Sequence, residues 1–230
     1  MFNFNGSLDA SGYDKSESIY QNNFFKVIEL IVHCYNLILE NENPQKFEKG
    51  FRLENYFTNI LVGYLKKNKH SFDLKNLGFE IEVGVIKIDS KNVKFIDIKV
   101  TNASHYFLGE YDEDIYYAIE CKRLDEYSQK IQYYIEGGIL RFVNADYSKN
   151  LPLAIMIGYV EKGDLSIIVN KINEKLDHRP SDIKTLQKLT ERSVISTFNS
   201  CYCSKHLKND NLGKINLYHL LLNYESLITT

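Results

Sequence analysis

The sequence predicts an α/β domain, a mixed sheet with helices against its faces. Three observations carry this. Apolar residues recur with a period near 3.6 up to residue 69, switch to a period near 2 from residue 79, and return to the helical period at residue 125. The run at 153–159 is wholly apolar, which suits a strand covered on both faces. With 230 residues, 44% of them hydrophobic, the chain can build one large core.

Residues 1–18 are polar and turn-rich, with Gly6, Gly12 and several Ser and Asp, and are expected to form a flexible N-terminal arm ahead of a single domain at 19–230. In residues 20–41, Phe24, Val27, Ile28, Ile31, Tyr35 and Ile38 fall at helical spacing. A break at Asn43-Pro44 precedes a second helix at 48–69, whose end carries Lys66, Lys67 and Lys69, charges that suit a helix C-terminus. Strands are expected at 79–88, 93–100 and 115–124, with a polar connection between the last two. A helix follows at 125–144 with Ile131, Tyr134, Ile135, Ile139 and Val143 inward, then the apolar strand at 153–159 and a helix at 165–176. The tail reads as a strand at 194–203 and an apolar run from Ile215 that fits either helix or strand.

Charge narrows the function. The chain holds 28 Lys plus Arg against 30 Asp plus Glu, a formal charge of −2, so a nucleic acid would have to be gripped by a local patch and not by the whole surface. Such segregation exists along the chain: residues 171–214 carry nine basic against five acidic residues, and residues 110–126 seven acidic against two basic. No apolar run approaches the roughly 20 residues that cross a bilayer, and the start of the chain lacks the pattern of a signal peptide. Four irregularly placed cysteines fit a reducing compartment, so a cytoplasmic protein with no membrane partner is expected. Cys201 and Cys203, with His206 and His219 nearby in the sequence, lack the spacing of a zinc site.

The chemistry sits in the third strand, where Glu120 and Lys122 interrupt an apolar segment. Residues two apart on a strand share a face, so these two point one way while Ile119 and Cys121 point into the core. Asp97 interrupts the preceding strand in the same manner. If the two strands pair as a hairpin, Asp97 and Glu120 converge, and two close carboxylates repel unless a cation intervenes. Oxygen ligands of this kind suit Mg²⁺, with Mn²⁺ as its substitute. The chemistry implied is metal-assisted hydrolysis of a phosphodiester, with Lys122 orienting the attacking water or offsetting charge on phosphorus. Glu110, Asp112, Glu113 and Asp114 are the rival source of the first carboxylate and read better as a solvated loop.

Asp97 followed by Glu120-Cys121-Lys122 resembles the PD-(D/E)XK signature of restriction-endonuclease-like nucleases, although Ile96 stands where a Pro often precedes the Asp. The resemblance covers residues 48–160 and implies a core of helix, three-strand meander, helix and strand, with a helical addition at 19–45 and a C-terminal extension at 163–230. It implies metal binding by Asp97 and Glu120, catalysis by these two and Lys122, and a supporting acid on the first core helix, Glu54, with Glu29 the weaker choice. It also suggests a phosphate-binding role for Arg141. The function implied is a Mg²⁺-dependent endonuclease acting on DNA, in restriction or anti-phage defence, as a homodimer or within a larger complex. The alternatives are a non-catalytic nucleic-acid-binding or assembly module on the same fold, and an RNA-cleaving effector.

Overall fold

The first helix, α1 (Ala10–Asn41), begins well before the periodic apolar stretch, so residues 10–18 of the expected arm are helical. The computed structural model describes residues 10–47, 52–86, 93–102, 116–147 and 151–229. The remainder of the arm and the acidic stretch holding Glu110, Asp112, Glu113 and Asp114 lie outside the described residues. A two-residue strand, β1 (Gln45–Lys46), leads to α2 (Leu53–Asn68). The strands β2 (Leu77–Ile86), β3 (Val93–Asn102) and β4 (Tyr116–Asp125) form an antiparallel meander.

The expected helix at 125–144 is three pieces on one path: α3 (Ser128–Tyr134), a π-helical turn (Ile135–Ile139) and α4 (Leu140–Val143). β5 (Leu153–Lys162) then pairs with β4 in parallel. After α5 (Leu165–Asp177) and the short α6 (Pro180–Ile183) come β6 (Thr185–Glu191), β7 (Cys201–Leu207), β8 (Lys214–Asn223) and β9 (Ile228–Thr229). The main sheet has seven strands in the order β2-β3-β4-β5-β8-β7-β6, and β1 pairs with β9 in a small parallel ribbon. The C-terminal extension therefore completes the same sheet.

Two hydrophobic layers hold this sheet. On one face Phe24 and Ile31 of α1 and Phe57 and Leu61 of α2 pack on Ile119, Ile157 and Leu220. On the other, Ile131 and Tyr134 of α3 and Ile168 and Ile172 of α5 pack on Ala118, Met156 and Leu217. β5 lies between them with its residues from Leu153 to Val160 buried, which is why its sequence does not alternate. β8 lies beside it and is nearly as apolar, which settles the run from Ile215 as a strand. Residues 194–200 are not a strand; Val194 and Ile195 pack against the first layer from a loop, and β7 continues to Leu207 instead. Edge strand β6 buries only Leu189 and offers no periodic signal. Among the described residues no helix is long and apolar enough to cross a membrane.

Candidate functional site

Asp97 and Glu120 meet where β3 and β4 part. The ladder between these strands runs from Thr101↔Tyr116 to Ile98↔Ile119 and stops there. Beyond it Cys121 has no partner in β3, and its N–H donates to Asp97 Oδ2 at 2.7 Å. The β2–β3 hairpin changes face at the same level. Ile81 and Ile98 pack under α1 and α2, whereas Val85 and Ile96 belong to the opposite layer. Between Ile81 and Val83, Glu82 takes a left-handed backbone with φ of 52°, at a cost of about 1–2 kcal/mol for a residue with a side chain.

Lys122 is the focus of the site. Its Nζ lies 2.7 Å from Glu120 Oε1, 2.9 Å from Asp97 Oδ2 and 3.4 Å from Glu54 Oε1. It also donates to the Cys121 carbonyl at 2.7 Å. Glu54 sits in the first turn of α2, where the helix dipole favours an acid, and its Oε2 accepts the Arg123 N–H at 3.3 Å. Glu120 is wholly buried and both its oxygens are engaged: Arg141 Nη1 donates to Oε1 at 2.9 Å and the Tyr147 hydroxyl donates to Oε2. Arg141 also donates to the Tyr147 oxygen at 2.9 Å and to the Phe95 carbonyl at 3.3 Å.

Burial and charge act together on these groups. Burial pushes the Glu120 carboxyl up to about 7, with Lys122 and Arg141 opposing and Asp97 adding to the rise. Burial likewise raises Glu54 against the pull of Lys122. For Lys122 burial works downward, but Glu120, Asp97 and Glu54 outweigh it and hold the ammonium firmly protonated.

The site opens on one side through a pocket of about 150 Å³ lined by Glu54, Asn55, Thr58, Glu82 and Asp97. Asn55 Nδ2 donates to Glu82 Oε1 at 3.2 Å, tying that fourth carboxylate to α2. Among the described residues no group of three or more His, Cys, Asp or Glu side chains is arranged to hold an ion by itself. What the residues offer is a set of hard oxygens from three carboxylates and one carbonyl, gathered around the single positive charge of Lys122.

The structure brings together Glu54, Asp97, Glu120, Lys122 and Arg141. Glu29 lies exposed on α1 and has no part in this cluster. Sequence reasoning missed Tyr147, which follows α4 in a stretch with no pattern, and the backbone of Cys121, which the motif itself could have suggested. Glu82 gave no signal, since its role depends on a backbone conformation. Cys201 and Cys203 are free thiols on β7, and His206 and His219 meet at Ser204 Oγ, 2.8 Å from each Nε2. Comparisons of the chain with protein-family models, with curated proteins and with solved structures give no match.

Proposed function

We propose that this chain is a Mg²⁺-dependent phosphodiester hydrolase, an endonuclease acting on DNA, on a restriction-endonuclease-like core of the PD-(D/E)XK kind. The observation that carries the reading is the convergence of Glu54, Asp97 and Glu120 on the nitrogen of Lys122. The order of α2, the β2–β3–β4 meander, the α3–α4 path and parallel β5 supports it.

Asp97, Glu120 and Glu54, with the Cys121 carbonyl, would hold Mg²⁺, or Mn²⁺ in its place. When bound, the cation supplies Lewis-acid polarisation of the phosphodiester and a water of lowered pKa. Lys122, kept protonated by its three carboxylates, donates hydrogen bonds that orient water and offset charge developing on phosphorus. Arg141 and Tyr147 fix the direction of Glu120 from behind. The test is incubation of plasmid and labelled oligonucleotides with Mg²⁺. Wild-type protein should cut, and Glu120→Gln and Lys122→Ala should lose about 10²–10³-fold in rate, the range set by removing a preorganised charge. Unchanged cutting in both variants contradicts the reading, and RNA cut in preference to DNA changes its substrate.

One observation favours a second reading. Both oxygens of Glu120 and the ammonium of Lys122 are already satisfied inside the protein, as in an ion network that only holds a fold together. On that view the chain is a non-catalytic nucleic-acid-binding or assembly module. It predicts no stabilisation by Mg²⁺ or Mn²⁺.

A further inference from the structure

Two large exposed aromatic residues, Tyr133 and Phe95, lie near the candidate site. Tyr133 is 53% exposed, and its ring centre lies 5.9 Å from Lys122 Nζ. Phe95 is 52% exposed, two residues before Asp97 on β3, and its carbonyl is tied to the Arg141 that pairs with Glu120. A scattered exposed ring needs no explanation, but two at one polar site call for one.

The ring of Tyr133 and the stem of Lys122 both lie against Gly137 of the π-helical turn. A Cβ at Gly137 would meet Tyr133 Cε2 at 3.2 Å, Tyr133 Cζ at 3.3 Å and Lys122 Cε at 3.5 Å. Ring and lysine stem thus share the space that one missing side chain leaves.

Charge argues for what covers these rings. At a formal −2 the surface as a whole does not attract phosphates, so contacts to the bases, such as stacking on aromatic rings, gain weight beside any local basic patch. In a duplex the faces of the bases are covered by their neighbours; in a single strand they are free. We propose that Tyr133, with Phe95 as a second exposed ring nearby, offers a stacking surface for the bases of single-stranded DNA near the phosphate to be cut. The inference rests on the nuclease reading of the same site and names the substrate form that site takes.

Binding of a fluorescein-labelled single strand and of the duplex of the same sequence to the full chain, followed by anisotropy with Ca²⁺ in place of Mg²⁺, tests it. The single strand should bind more tightly than the duplex. Tyr133→Ala and Phe95→Ala should each weaken single-strand binding about 5- to 100-fold, the range for loss of one stacked base, and Tyr133→Phe should bind as wild type. Thermal melting checks that the variants fold, which the exposure of both rings favours. Wild-type affinity in folded Tyr133→Ala, tighter binding of the duplex, or tighter binding of an RNA of the same sequence overturns the proposal. Cleavage separates the two claims. A single strand bound and cut equally well by wild type and Tyr133→Ala removes the platform and leaves the nuclease; a binding loss in Tyr133→Ala with no nucleic acid cut by wild type does the reverse.

Discussion

The main-chain N–H of Cys121 donates to Asp97 Oδ2 at 2.7 Å across the point where β3 and β4 stop pairing. One carboxylate thereby closes the sheet and faces the site. Its two duties can be parted, because the side-chain oxygen of asparagine still accepts from Cys121 while the negative charge is gone. Asp97→Asn is expected to fold, but Mg²⁺ should no longer stabilise it. For wild type, Mg²⁺ at a hundredfold excess over its Kd should add about 2.7 kcal/mol, a rise in Tm of roughly 5–10 °C for a chain of this size. Thermal melting with and without Mg²⁺ checks this, and equal shifts in the two proteins would contradict it.

Tyr147 donates to Glu120 Oε2 and so favours the charged carboxylate. In the metal-free protein burial holds Glu120 at about 7, above its ordinary 4.5. Between those two values the folded chain keeps a proton that the unfolded chain releases. The stability this group contributes is therefore complete below pH 4.5 and lost as pH rises through 7. Tyr147→Phe removes the donor, should raise the Glu120 pKa further, and should cost about 1–3 kcal/mol for the unsatisfied oxygen. Carboxyl carbon NMR of metal-free protein reads the titration directly. An ordinary carboxylate titration in both proteins would refute the coupling.

His206, Ser204, His219 and Tyr134 form a buried chain whose direction the structure dictates. Ile183 O can only accept, so His206 Nδ1, 3.3 Å away, carries the hydrogen. Neutral His206 then accepts at Nε2 from the Ser204 hydroxyl, Ser204 accepts from His219 Nε2–H, and His219 Nδ1 accepts from the Tyr134 hydroxyl at 2.8 Å. Burial lowers His206 to about 4, against its bond to Ile183, and lowers His219 to about 3, with His206 adding to the fall. The unfolded chain binds these protons and the folded one does not, so their contribution to stability falls as pH drops below about 6.5. Of the six histidines, these two should keep fixed NMR shifts from about pH 8 to about pH 5. Titration of either near pH 6.5 contradicts the chain.

The π-helical turn makes a packing prediction. A Cβ at Gly138 would lie 2.3 Å from the methyl of buried Met156, whereas at Gly137 the nearest atom is 3.2 Å away on the exposed Tyr133 ring. Gly138→Ala is expected to cost about 1–3 kcal/mol and Gly137→Ala less. Urea unfolding of the two variants measures the difference, and equal midpoints would show that Met156 moves aside freely.

The long helices and the meander were legible because their patterning is strong and one-sided: Phe24 to Ile38 reads as a helix stripe, and the charges of Asp97, Glu120 and Lys122 stand out in apolar strands. Other features rest on tertiary terms that no local pattern carries. Ala10 to Ser18 continue α1 although their sequence is polar and turn-rich. β6 is an edge strand with one buried side chain, so it has no alternation to read. Gly137 and Gly138 stand within a helical path for a reason that lies across space, in Tyr133, Lys122 and Met156. Glu82 and Tyr147 join the site through a backbone turn and a loop, and neither leaves a mark on spacing.

On the proposed function, the oxygens around Lys122 Nζ are a place for a divalent cation. A crystal of the protein grown with Mn²⁺ and measured for anomalous scattering tests this most directly. A peak is expected about 2.0–2.3 Å from carboxylate oxygens of Asp97 and Glu120, with the Lys122 ammonium moved off them. Diffraction that shows no peak at this site at millimolar Mn²⁺, with Lys122 still bridging Asp97, Glu120 and Glu54, would contradict it.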